Sequence, residues 1–104
     1  MQVYLFTYDA LIDNDGSLSR EIKQFLEECY GKKNICPILK SVFLIACNKT
    51  HKEIHDNIKA RFGESLSYII TGISKCYQDN KLKPNSIKWL KRFITIRCME
   101  IANQ

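Results

Sequence analysis

An α+β fold is predicted from three observations on the 104-residue sequence. The first run, Gln2-Val3-Tyr4-Leu5-Phe6-Thr7-Tyr8-Asp9, is β-branched and aromatic and reads as a strand. Two segments with apolar residues at helical spacing alternate with further strand-like runs. The element order that results is strand, helix, long or split strand, helix, strand, helix, which mixes both periodicities in one chain.

Each element has its own local reason. The first strand ends on one carboxylate, Asp9. An acid there either starts a turn or stands at the rim of a sheet on a rigid backbone, where it can meet solvent, metal or substrate. Asp13-Asn14-Asp15-Gly16-Ser17 is a cluster of turn formers. Asp13 and Asp15 have the spacing that opens a calcium loop, but Gln24 occupies the place of the closing bidentate Glu, so a turn leading into a helix is the better account. Leu18, Ile22, Phe25, Leu26 and Cys29 then make one apolar stripe, and Gly31 is placed to close the helix in a left-handed conformation. That helix is expected from about Ser17 to Tyr30.

Ile35 to Cys47 is extended chain, either one strand or two divided by a bend near Lys40 and Ser41. Pro37 cannot donate to a sheet ladder, which places it at a strand start, on an edge or at a break. Lys40, the single charge of this stretch, is expected to reach solvent at an edge or to point toward a partner. Thr50-x-x-Glu53 is a capping box opening the second helix, with Ile54, Ile58 and Phe62 buried and Gly63 at its end. His51 and His55, four apart, share a helical face as in a two-histidine metal site. The order His51-Lys52-Glu53-Ile54-His55 is not that of a zinc protease, no third ligand is evident, and an exposed helix face is expected instead. Leu66 to Ile73 is the next strand. Pro84-Asn85-Ser86 then starts an appended basic amphipathic helix, expected over residues 83–102, with Ile87, Leu90, Phe93 and Ile94 as its stripe.

Composition narrows the function classes. The chain is 45% hydrophobic, long enough for one core and one domain over 1–104. Its longest apolar run, Val42 to Cys47, is far below the ~18 residues that cross a bilayer, so no membrane partner is expected. The N-terminus enters a strand directly, and a cytoplasmic location is expected. Five cysteines, at 29, 36, 47, 76 and 98, make no CxxC pair and read as reduced, mostly buried small hydrophobes. The net charge of +5 suits a polyanionic partner. Lys81, Lys83, Lys88, Lys91, Arg92 and Arg97 lie in a stretch with no acid, a candidate surface for RNA or DNA or simply a solvated helix face. Of the aromatics interleaved there, Tyr77, Trp89 and Phe93, the latter two are expected in the core rather than as base-stacking platforms.

Counting the middle stretch as two strands gives β-α-β-β-α-β plus a terminal helix, the ferredoxin-like arrangement, with two helices on one face of an antiparallel sheet. The alternate positions of the first strand are apolar on both sides, so the second face should also be covered, by the last helix or by another chain. Tyr8-Asp9 closing the first strand, Ser41-Val42-Phe43-Leu44-Ile45, Asn48-Lys49, the capped second helix and Trp89-Leu90 together resemble the CRISPR-associated endonuclease two family, especially its SinR-like relatives. Tyr8, Ser41 and Phe43 carry the motif. VapD-like ribonuclease toxins are more distantly similar.

The resemblance implies a homodimer in which Asp9 of each protomer faces its twin and the pair holds Mg²⁺ for phosphodiester hydrolysis of RNA or DNA. It equally implies a non-catalytic nucleic-acid-binding or protein-interaction dimer of the same fold. Mg²⁺ commonly takes one or two carboxylates with phosphate oxygens and water, so one chain's Asp9 would need such company, and metal-bound hydroxide would serve as the nucleophile. The endonuclease relatives end in a strand that pairs with the partner's sheet, whereas this chain's last segment reads as a basic helix.

Overall fold

The computed structural model describes residues 1–10, 16–73 and 81–93. Strands β1 (Gln2–Ala10), β2 (Ile35–Leu39), β3 (Val42–Cys47) and β4 (Leu66–Ile73) form an antiparallel sheet in the order β2-β3-β1-β4. Helices α1 (Ser17–Tyr30) and α2 (His51–Phe62) connect β1 to β2 and β3 to β4, and α3 (Pro84–Phe93) follows. A short 3₁₀ turn, Lys32–Asn34, joins α1 to β2. The Asp13 to Asp15 turn, Cys76, Tyr77, Cys98, Arg97 and the part of the expected last helix beyond Phe93 lie outside the described residues.

The period of two along β1 explains the layering. Tyr4, Phe6 and Tyr8 point to one face, where they meet Ile22, Leu26 and Tyr30 of α1 and Ile54, Ile58 and Phe62 of α2. Polar tips in this layer find partners: Tyr8 Oη donates to Ser19 Oγ at 3.0 Å, and Asn57 Nδ2 donates to Tyr30 Oη at 3.3 Å. Val3 points to the other face with Leu44 and Ala46, where Leu90 of α3 closes a second, smaller core together with Cys36. The last helix therefore covers the second face, but only in part. Ile69 and Leu39 remain 64% and 61% exposed.

The middle stretch is two strands. Leu39 pairs with Val42, so Lys40 and Ser41 alone make the turn, and Ser41 takes φ of 59°. Two-residue hairpins need such left-handed residues because their twist then matches that of the strands. Pro37 sits on the edge strand β2, where the register also shifts between Pro37 and Leu39, and Lys40 is exposed.

Helix boundaries follow their caps. At α2, Glu53 N donates to Thr50 Oγ1 at 3.2 Å while Thr50 N donates to Glu53 Oε2 at 2.8 Å, the reciprocal capping box. Helix α1 ends at Gly31 as expected, but its φ of 93° and ψ of 136° lie outside the left-handed helical region. The chain leaves α1 directly into the 3₁₀ turn, and Asn34 Nδ2 returns a bond to Tyr30 O at 2.8 Å. His51 and His55 are exposed on α2, as expected, and each touches a tyrosine of the sheet. His51 meets the Tyr4 ring edge-on at 4.7 Å between centroids, and His55 Nδ1 lies 2.9 Å from Tyr68 Oη.

Candidate nucleic-acid interface

Two sequence-distant pieces, α3 and the Lys32–Asn34 turn, build a basic surface. Helix α3 docks through Leu90, which is buried, and through half-buried Trp89 and Phe93, whose rings lie 4.6 Å apart. Trp89 Nε1 donates to Lys33 O at 2.9 Å and fixes α3 against the 3₁₀ turn. The cleft between them is lined by Lys32, Lys33, Asn85, Lys88, Trp89, Lys91 and Arg92. Five cationic side chains thus border one concavity, and no acid is among its lining residues.

Helical spacing accounts for this concentration. Lys88, Lys91 and Arg92 are at i, i+3 and i+4, one face of α3, while Leu90 turns the opposite way into the second core. The Arg92 guanidinium stands 5.2 Å from the Phe93 ring centroid, which holds its planar fork beside an aromatic surface. Lys81 and Lys83 are exposed before the helix but do not line the cleft. Instead Lys83 O accepts the amides of Ser86 and Ile87, so its backbone starts α3. Trp89 packs against the second core, as expected, and also lines the cleft.

In the sequence Lys32-Lys33-Asn34 reads only as a basic turn between the first helix and the extended middle stretch. Their union with α3 depends on a contact across more than fifty residues of chain, for which the sole local signal is a tryptophan beside lysines.

Asp9 is exposed at the end of β1, paired in register with Ser67 of β4. It shares its sheet face with Thr7 and Ile69, the part that α3 leaves uncovered. The other motif residues do come together. Tyr8 N donates to Ser41 O at 3.1 Å, and the Tyr8 and Phe43 rings stack at 6.2 Å and 15°. They lie on the α1/α2 face, one residue from Asp9 but on the opposite side of the sheet. No group of three His, Cys, Asp or Glu side chains suited to a metal ion occurs among the described residues.

Burial pushes the Cys36 thiol above its ordinary pKa, partly offset by a hydrogen bond with Ser86, and burial likewise raises Cys47. Both are inert packing groups at neutral pH. No described helix is long and apolar enough to cross a membrane. No model of a known protein family matches the chain, and no curated protein does.

Proposed function

We propose that this chain is a nucleic-acid-binding protein of the ferredoxin-like class that holds phosphates in the cleft between α3 and the Lys32–Asn34 turn. The strand order β2-β3-β1-β4, with α1 and α2 on one face, supports the fold assignment, while kinship to CRISPR-associated endonuclease two and SinR-like proteins rests on the sequence resemblance alone. The observation that carries the binding reading is the convergence of Lys32, Lys33, Lys88, Lys91 and Arg92 around one acid-free concavity with an aromatic edge. Lysine and arginine gather phosphate oxygens by charge, and displaced counterions make such binding fall with salt. If all five cations reach phosphates, log affinity against log salt has a slope of about −4.5 on duplex DNA and about −3.5 on a single strand. Lys81 and Lys83, just outside, extend the same positive surface.

Fluorescence anisotropy with labelled RNA and DNA across a salt series tests this. Replacing Lys88, Lys91 and Arg92 with glutamine should leave two cations and flatten the duplex slope to about −1.8. Salt-insensitive binding, or an unaltered slope in the triple variant, rules the cleft out.

Magnesium-dependent cleavage by a cytoplasmic homodimer is the second reading. It is favoured by the placement of Asp9, exposed at the rim of the sheet beside its uncovered patch. One carboxylate would hold Mg²⁺ together with phosphate oxygens and water, or with the Asp9 of a second copy. The ion would polarise a phosphoryl oxygen and supply a hydroxide nucleophile. Asp9→Asn should then abolish Mg²⁺-dependent cleavage while keeping the fold, and cleavage that persists in this variant removes Asp9 from the chemistry.

A further inference from the structure

The two edges of the sheet are built differently. On β2 the edge is five residues long, carries Pro37, has an irregular register beside it and ends at exposed Lys40. Those are the devices by which proteins keep an edge from pairing with another chain. The β4 edge has none. Leu66-Ser67-Tyr68-Ile69-Ile70-Thr71-Gly72-Ile73 holds no charge and no proline, and it keeps an unbroken register with β1 through eight pairs. Among the described residues no strand pairs with its outer side. The largest exposed apolar side chain of this strand, Ile69, stands at its middle, 64% exposed.

We propose that β4 pairs antiparallel with β4 of a second copy, centred on Ile69, to give a continuous eight-stranded sheet. A two-fold axis perpendicular to the sheet keeps like faces together, so this register sets Ile69 against Ile69 on one face and Tyr68 against Ile70 on the other. It thereby covers the apolar residue that α3 leaves bare and pairs the outer ladder groups of both β4 edges, which no described strand pairs. A second copy fits better than a charged peptide, because the strand offers no ion-pair partner and its apolar centre complements itself. The assembly also bears on Asp9. With strands about 4.8 Å apart and about 3.4 Å per residue, the two Asp9 positions fall roughly 20 Å from each other. They cannot share one ion. Each would meet Mg²⁺ with phosphate and water alone.

Sedimentation velocity on the full chain, with hydrogen exchange of the β4 amides as a function of protein concentration, tests the pairing. The wild type should sediment as a dimer, with amides of Leu66–Ile73 gaining protection as concentration rises. Ile69→Lys sets two like charges opposite each other at the axis and should sediment as a monomer. Because Ile69 is exposed in the single chain, its far-UV circular dichroism should be unchanged. A monomeric wild type, a dimer whose β4 amides gain no protection, or an Ile69→Lys dimer each overturns the proposal. None of these outcomes depends on nucleic-acid binding, so the cleft is judged separately by its own salt slope.

Discussion

Leu90→Ala is the substitution that best connects the packing of this protein to its proposed binding. Leu90 is 3% exposed and is the apolar anchor by which α3 reaches Val3, Cys36, Leu44 and Ala46. Truncating a buried leucine to alanine costs about 2–5 kcal/mol, combining lost burial with an unfilled cavity. A ten-residue helix held by one buried apolar side chain, the buried Ser86 hydroxyl and two half-buried rings has docking energy of comparable size. Much of the loss should therefore appear as local undocking of α3 rather than as global unfolding. Urea unfolding followed by circular dichroism should show a smaller loss than Leu26→Ala, which empties a site in the main core. Affinity for nucleic acid should fall several-fold or more, since only the docked fraction presents Lys88, Lys91 and Arg92 beside Lys32 and Lys33. Equal destabilisation by the two variants with unchanged affinity would mean that α3 neither undocks independently nor positions the cleft.

Four further outcomes follow from other parts of the molecule. Trp89→Phe keeps an aromatic ring but leaves Lys33 O without the indole donor, and should weaken binding more than it lowers the unfolding midpoint, read by anisotropy and thermal melting. Thr50→Ala removes one arm of the capping box and should cost about 1 kcal/mol in chemical denaturation, whereas Thr50→Ser should cost little. Gly31→Ala forces a side chain onto φ of 93° and should cost about 1–3 kcal/mol by the same measurement. Burial raises the Cys36 and Cys47 pKa values, so the native state keeps their protons at pH values where unfolded thiols lose them. Stability should decline as pH rises above about 8.5, an effect reduced in Cys36→Ala and Cys47→Ala relative to their own neutral-pH values.

The sequence exposed those features whose causes are local. The alternation in β1, the capping box at Thr50 and Glu53, and the stripe of α1 each fix a nearby backbone conformation and stand where expected, except that the stripe ends on buried Tyr30 while Cys29 is exposed. The bend at Lys40 and Ser41 was legible for the same reason, through a charge and a small polar residue interrupting an apolar run. What could not be read was assembly across distance. Cys36 belongs to the second core and not the first because β2 is the edge strand beneath α3. Lys32 and Lys33 join the α3 cations through an indole bond that no periodicity announces. The two histidines were legible as well: with no third ligand evident in the sequence their spacing on α2 reads as an exposed helix face, and both are exposed, each touching a tyrosine ring of the sheet.

The position of β1 has a consequence for how the chain acquires its structure. Although made first, β1 lies between β3 and β4 and needs both of them as neighbours. The β2-β3 hairpin closes over two residues and can form early, whereas β1 with β4 joins Val3 to Ile73, nearly the span of the whole core. Such distant pairing is slow because loop-closure entropy is spent before the contact forms. During synthesis, the β1 side destined for β4 must wait for the chain through Ile73 to emerge, carrying Tyr4, Phe6 and Tyr8 without their full cover. The strand most central to the finished sheet is thus the one with the longest exposure to wrong partners, and α3, made last, docks on a sheet that only then is complete.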